Sequence, residues 1–254
     1  ATTTIISEKM SKIFDDVKSS LDGFLSPPTS KQNDPIIKKN ADSSAKNCYN
    51  NASQNQPFQT NFNSCKKDET LGGEYDLYVG GEKVGTANMV VWTNKDGTKK
   101  LVRDDVNHTL EKMREDLKKQ TGIDLRINSG FRPIDVQQCM YENYLNCRQE
   151  WQNNGKQGNP PSVVGNPAKA GPNSHINGRA TDFQTGISPS QIANKSQSQI
   201  KKEINEKNFS PTWRWLIENS QTYGWVWTGL SFGEPWHFEF NENLATSKGI
   251  YPKK

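Results

Sequence analysis

At 254 residues with a formal net charge of +4, the chain is long enough to bury one good core and carry a substantial extension. Hydrophobic residues make up 31% and the mean hydropathy is −0.90, which calls for a folded domain joined to a polar, loosely packed portion. No run of about eighteen apolar residues occurs, so no membrane span is expected, and no basic tract interleaved with aromatics points to nucleic acid.

In chain order, Ile5, Ile6, Met10, Ile13, Phe14, Val17, Leu21 and Phe24 recur at helical spacing over residues 5–25. This short amphipathic helix must dock on something, either its own domain or an assembly partner, and Pro27-Pro28 ends it. From Thr29 to about Gly72 the chain is rich in Asn, Ser, Lys and Gln, the composition of a linker or surface-hugging arm. Tyr75–Val79 and Val84–Trp92 alternate like strands, with turns at Gly80-Gly81-Glu82-Lys83 and Asn94–Gly97. Asp104 or Asp105 is positioned to cap a helix carrying Val106, Leu110, Met113 and Leu117 and closed by Gly122. His108 lies on that helix among polar neighbours and reads as solvated. Ile123, Leu125 and Ile127 then alternate into Ser129, a strand that delivers Arg132 at its end.

Residues 135–147 read as helix, and they place Cys139 and Cys147 roughly 12 Å apart. A disulfide needs Cα atoms about 5.5 Å apart, so these two cannot bond each other. Cys48 and Cys65 flank a polar segment. They are free to pair together, to reach the helix, or to remain thiols. A loop rich in Gly, Pro and Asn runs from Gly155 to Asn173. Helices are expected near Ser196–Lys207 and after Ser210-Pro211. The second carries Trp213, Trp215, Leu216 and Ile217, and its tryptophans at helical spacing read as core rather than sugar-stacking platforms. Gly224–Trp227 and Pro235–Phe240 complete a sheet as a hairpin.

The chemistry is concentrated in two clusters. The chain has three histidines, and two of them lie in His175-Ile176-Asn177-Gly178-Arg179-Ala180-Thr181-Asp182 and Glu234-Pro235-Trp236-His237. Each sits beside a carboxylate. Two imidazoles and one carboxylate can hold zinc with the fourth position open to water, and the remaining carboxylate can serve that water as general base. Small residues at Gly178 and Ala180 fit a backbone passing close to a metal. Residues three apart on a regular strand face opposite sides, so Pro235 implies a bend that lets Glu234 and His237 share one cavity.

His-x-x-Gly-x-Ala-x-Asp followed by Glu-x-x-His resembles the zinc D-alanyl-D-alanine metallopeptidases, which include vancomycin-resistance-type D,D-carboxypeptidases, related phage endolysins and, more distantly, the Hedgehog domain. The resemblance implies His175, Asp182 and His237 as zinc ligands and Glu234 as the catalytic base. Ser129-Gly130-Phe131-Arg132 is similar to the family's Ser-Gly-Tyr-Arg segment, which implies Arg132 as stabiliser of a substrate carbonyl or carboxylate. Two positions depart from the pattern. Asn173 stands where the family often has Ser, and Phe131 carries no hydroxyl.

The implied fold is α+β, a small antiparallel sheet with flanking helices of the Hedgehog/DD-peptidase kind, over residues 72–254. Residues 1–71 form a largely irregular N-terminal arm with one helix. The implied activity is zinc-dependent cleavage of D-amino-acid-containing peptides of bacterial peptidoglycan. Carboxypeptidase and endopeptidase both remain open, with the Glu-Pro-Trp-His spelling closer to the D,D-carboxypeptidases. A phage tail-associated lysin with an assembly role and a non-catalytic zinc-fold binding module are the rivals, and retention of Glu234 and Arg132 argues against the latter. The opening Ala1-Thr2-Thr3-Thr4-Ile5-Ile6 lacks a hydrophobic signal core, leaving secretion after signal removal or carriage in a phage virion as the two expected routes to the wall.

Overall fold

The computed structural model describes residues 48–49, 59–60, 62–66, 68–156, 160–204 and 209–251. The helix expected over residues 5–25 lies outside them. The described residues fall in one compact unit, residues 45–254. Two short strands, β1 (Cys48–Tyr49) and β2 (Gln59–Thr60), pair with each other near its start.

Three strands follow in an antiparallel sheet of order β3-β4-β5: β3 (Gly73–Val79), β4 (Glu82–Thr93) and β5 (Lys99–Arg103). The turns fall where Gly80-Gly81 and Asn94–Gly97 put them, and Gly80, Gly81 and Gly97 all take positive φ. Strand β5 was not foreseen, because Lys99, Lys100 and Arg103 surround the buried pair Leu101–Val102 and mask its alternation.

Helix α1 (Asp104–Thr121) buries Val106, Thr109, Leu110, Met113 and Leu117, the spacing of one helical face. Complete burial of a Leu or Met side chain stabilises by about 1.5–3 kcal/mol, so this face anchors the unit. Gly122 ends the helix in the left-handed conformation, donating its N–H to Lys118 O. The expected aspartate cap is absent. The N-cap position is Arg103, and Asp105 is occupied instead with Arg103, Arg179 and the Tyr251 hydroxyl. Asp104 and Asp105 still place negative charge at the positive end of the helix dipole.

The second sheet is antiparallel with order β6-β7-β9-β8: β6 (Ile127–Ser129), β7 (Ala180–Phe183), β8 (Trp225–Trp227) and β9 (His237–Phe240). The strand expected from Ile123 begins only at Ile127, although Leu125 is fully buried. Strands β8 and β9 form the expected hairpin, with Trp225 opposite Phe240 and Trp227 opposite Phe238. Asn94 ties the two sheets together. Its buried amide accepts from the Trp92 indole and the Ile127 N–H and donates to Ile127 O. A buried polar side chain satisfied on all sides fixes the relative placement of β4 and β6.

Helix α2 (Ile134–Asn153) follows β6. Further on come α3 (Pro189–Ile192), α4 (Gln197–Glu203), α5 (Pro211–Asn219) and α6 (Glu242–Ser247). Ser196 and Ser210 cap α4 and α5 with their hydroxyls. Trp213, Trp215, Trp225 and Trp227 all belong to the core cluster beneath the second sheet. No described helix is long and apolar enough to cross a membrane.

The cysteine alternatives resolve in favour of the helix. Cys48 bonds Cys147 and Cys65 bonds Cys139, with Cα atoms 5.2 and 5.5 Å apart. The two helix cysteines therefore take separate partners, which ties Cys48 and Cys65 to α2.

Candidate metal centre and active site

The second sheet brings the two motif clusters together. Asp182 and His237 are directly opposed on β7 and β9. His175 opens a 3-10 turn (His175–Asn177) that ends at Gly178 in the left-handed conformation and leads into β7. A Cβ at Gly178 would lie 2.9 Å from the Arg103 Cβ, so glycine is required there by both conformation and space. Arg103 grips this turn, donating to the carbonyl and side-chain oxygens of Asn177 at 3.1 and 3.0 Å.

The His175 Nδ1–H donates to Gly130 O at 2.7 Å, which leaves Nε2 as a lone-pair donor 3.3 Å from Asp182 Oδ1. The same Asp182 oxygen lies 3.0 Å from His237 Nδ1. The three groups offer ligand atoms that all lie within 4.8 Å of one another. In a tetrahedral zinc site with bonds near 2.0–2.1 Å, neighbouring ligand atoms stand about 3.3 Å apart. Borderline nitrogen donors and one hard carboxylate suit Zn²⁺, and the Asp182 oxygen stands at 3.3 and 3.0 Å from the two imidazole nitrogens, near that spacing.

Glu234 lies outside β9, on the turn expected from Pro235, with Oε2 3.8 Å from His237 Nδ1. That turn is suspended on core groups. The Trp227 indole donates to Glu234 O, the Trp213 indole to Pro235 O, and the Glu234 N–H to Gly229 O. Arg132 follows β6, its N–H donating to His175 O. Its guanidinium donates to Gln137 Oε1 at 2.5 Å and Ser129 Oγ at 2.9 Å, and Gln137 in turn donates to Gly165 O. Gly130 is pinned because a Cβ there would meet Leu101 O. All five residues singled out in the sequence thus converge. Phe131, the departure from the family's tyrosine, is buried against Tyr75 in the first sheet.

Sequence reasoning missed the supports Arg103, Gln137 and Gly229, whose residue types carry no chemical signature. It also missed Phe232, a half-exposed ring 5.2 Å from the His237 ring at the rim of the site.

The electrostatics are those of a cluster made to hold a cation. Burial alone would raise Asp182, but the charges and hydrogen bonds of His175 and His237 hold it far below the ordinary carboxylate range. Glu234 is raised to about 7 by burial and then by the Asp182 charge. Burial opposes a charge on His237, yet its bonds to Asp182 and Glu239 and the nearby acidic charge raise it to about 9. A ligating imidazole must be neutral, so metal uptake displaces that proton.

One stability consequence follows for metal-free protein. Both Glu234 and His237 are raised, so each contributes stability present below its ordinary value and lost as pH climbs through its folded value. The windows run from 4.5 to about 7 for Glu234 and from 6.5 to about 9 for His237. The thermal midpoint of chelated protein is expected to fall between pH 6.5 and 9, and His237→Asn to flatten that fall. A rising midpoint over this range would contradict the arrangement.

Residues 99–243 match the family model VanY, D-alanyl-D-alanine carboxypeptidase. The chain belongs to this family. The matched region runs from β5 to α6 and includes all five site residues of this D-alanyl-D-alanine carboxypeptidase homologue. No curated protein matches the chain. Among solved structures it is similar to a vancomycin-resistance D,D-pentapeptidase, VanY of a VanB-type cassette, in complex with Zn(II), at 18% identity and TM-score 0.37 over 63% of this chain and 83% of that one. VanYB in complex with D-alanine-D-alanine gives 16% identity and TM-score 0.36, covering 63% and 80%. The LdcB LD-carboxypeptidase gives 15% and 0.34, covering 71% and 99%. Overlays this loose carry no functional weight beside the family match.

Proposed function

We propose that this member of the family is a zinc-dependent D,D-carboxypeptidase that removes a terminal D-alanine from peptidoglycan stem peptides. The observation that carries the reading is the convergence of His175, Asp182 and His237 on one point, with Glu234 and Arg132 beside it. Zinc held there supplies a Lewis acid that polarises the scissile carbonyl and activates a water. Glu234 takes the proton of the attacking water and delivers it to the leaving amine, a role suited by a carboxyl raised toward neutrality. His175 is kept in the ligating tautomer by Gly130 O. Arg132, braced by Ser129 and Gln137, presents a fixed guanidinium to a substrate oxygen.

Arg132 separates the two peptidase readings. If it grips a terminal carboxylate, Arg132→Lys removes a two-pronged contact that a point ammonium cannot reproduce. A charge-assisted hydrogen bond of about 1.5–3 kcal/mol corresponds to a loss of roughly ten- to two-hundredfold. The loss is expected to be larger for peptides ending in free D-alanine than for the same peptides amidated at the C-terminus. Equal losses on both would assign Arg132 to the oxyanion and favour an endopeptidase.

Two further readings belong to the proposal. The pairings Cys48–Cys147 and Cys65–Cys139 support work in an oxidising compartment on the wall side of the membrane, whether by secretion or from a virion. Residues 72–254 are proposed as the catalytic unit, with residues 1–71 as an accessory arm that can carry an assembly partner. A chain beginning at Gly72 would leave Cys139 and Cys147 unpaired, and is expected to fold and bind zinc under reducing conditions. Insolubility there would make the arm part of the core.

A further inference from the structure

We infer that Glu239 is a positioning residue for the metal ligand His237, holding its ring from behind by a carboxylate–imidazole contact; this rests on the zinc reading above. The two histidines present opposite nitrogens to the centre. His175 spends Nδ1 on Gly130 O and offers Nε2, whereas His237 offers Nδ1 to the Asp182 side and turns Nε2 along its own strand. There Nε2 lies 3.5 Å from Glu239 Oε1.

Strand geometry makes this contact available. Side chains alternate along β9, so Phe238 and Phe240 enter the core, each fully buried, while His237 and Glu239 share the opposite face. Glu239 sits opposite Ala180 on β7 and Val226 on β8. A small and an aliphatic residue on those neighbouring strands put no competing cation across from its carboxylate. The Glu239 side chain is 30% exposed against 10% for His237, so the carboxylate lies at the wet edge with the imidazole behind it.

The chemistry differs at the two ligands. A backbone carbonyl steadies His175 without charge. A carboxylate accepting the Nε2–H of His237 fixes the tautomer with Nδ1 unprotonated once metal is bound, and strengthens that nitrogen as a donor. Its charge stands behind the ring at Nε2, whereas Asp182 and Glu234 face Nδ1. Glu234 therefore serves the substrate and Glu239 serves the ligand.

The test is zinc affinity by competition with a chromophoric chelator, on full-length protein with intact disulfides. Wild type, Glu239→Ala, Glu239→Gln and the ligand variant His237→Ala are compared. Loss of an outer-shell partner typically costs about ten- to hundredfold in metal affinity, and that loss is expected for Glu239→Ala. Glu239→Gln keeps an oxygen that accepts the Nε2–H, so it is expected to fall between Ala and wild type. If Glu239→Ala fails to fold, Glu239→Gln decides: weaker binding than wild type supports the inference, and equal binding overturns it. Wild-type affinity in Glu239→Ala also overturns it, and leaves the metal reading intact. Absence of tight zinc binding in wild type, or its survival in His237→Ala, would overturn the metal reading itself. The cobalt-substituted protein supplies a second readout. Its visible spectrum is expected to change shape in Glu239→Ala, because a freed imidazole alters the ligand field, and an unchanged spectrum counts against the assignment.

Discussion

Glu234→Ala is expected to lower turnover by about 10²- to 10⁴-fold, the range lost with a general base, while zinc content stays at one ion per chain. The reason is a division of labour visible in the geometry. The carboxylate of Glu234 stands 3.8 Å from His237 Nδ1, farther than Asp182 at 3.0 Å. It is also the carboxyl of the cluster driven upward in pKa, to about 7, whereas Asp182 is driven down. A group tuned to exchange a proton near neutrality is a base, and one held ionised is a ligand. Turnover by elemental-analysis-verified zinc protein checks the prediction. A fully active Glu234→Ala protein would remove the base role from Glu234.

Gly229→Ala is expected to be nearly as damaging, although residue 229 touches no substrate. A Cβ at this position would lie 1.8 Å from Glu234 O and 3.1 Å from the His237 Cβ. The first obstacle is backbone, so the turn itself must move, breaking the Glu234 N–H to Gly229 O bond or the indole bonds from Trp227 and Trp213. Overpacking of this kind costs about 1–3 kcal/mol of stability. A displacement of about 1 Å in a catalytic group costs on the order of a hundredfold in rate. Thermal denaturation and turnover measured on one sample check both parts. An unchanged rate would mean that the position of Glu234 is not set by this turn.

The candidate metal group was legible in the sequence because its residue types are scarce and chemically committed. Three histidines in 254 residues, two of them spaced from carboxylates, leave few readings. The bend at Pro235 was legible for a different reason, the mismatch between a three-residue spacing and the two-residue period of a strand. Glu239 satisfies that period with His237 and could have been read as its partner from the sequence. Arg103 could not. Its side chain reaches Asn177 across a sequence separation of 74 residues, and nothing in a Lys/Arg-flanked pair of apolar residues announces either strand β5 or that contact.

Local pattern also misplaced some boundaries. Asp104 and Asp105 have the composition of a helix cap, yet the tertiary partners of Asp105, Arg179 and Tyr251, take its carboxylate. Leu125 has strand character and is buried without joining a ladder. The disulfide pairing rests on which positions of α2 meet Cys48 and Cys65. Spacing on the helix excluded one pairing and left the others equal until the three-dimensional contact was seen.

The proposed D,D-carboxypeptidase activity is tested most directly by mass analysis of a synthetic stem pentapeptide ending in D-alanyl-D-alanine after incubation with the zinc-loaded protein. Loss of a single terminal alanine is expected, abolished by chelation, restored by added zinc, and absent from His175→Ala protein. Cleavage only at internal bonds, or alanine release that persists undiminished in His175→Ala, would contradict it.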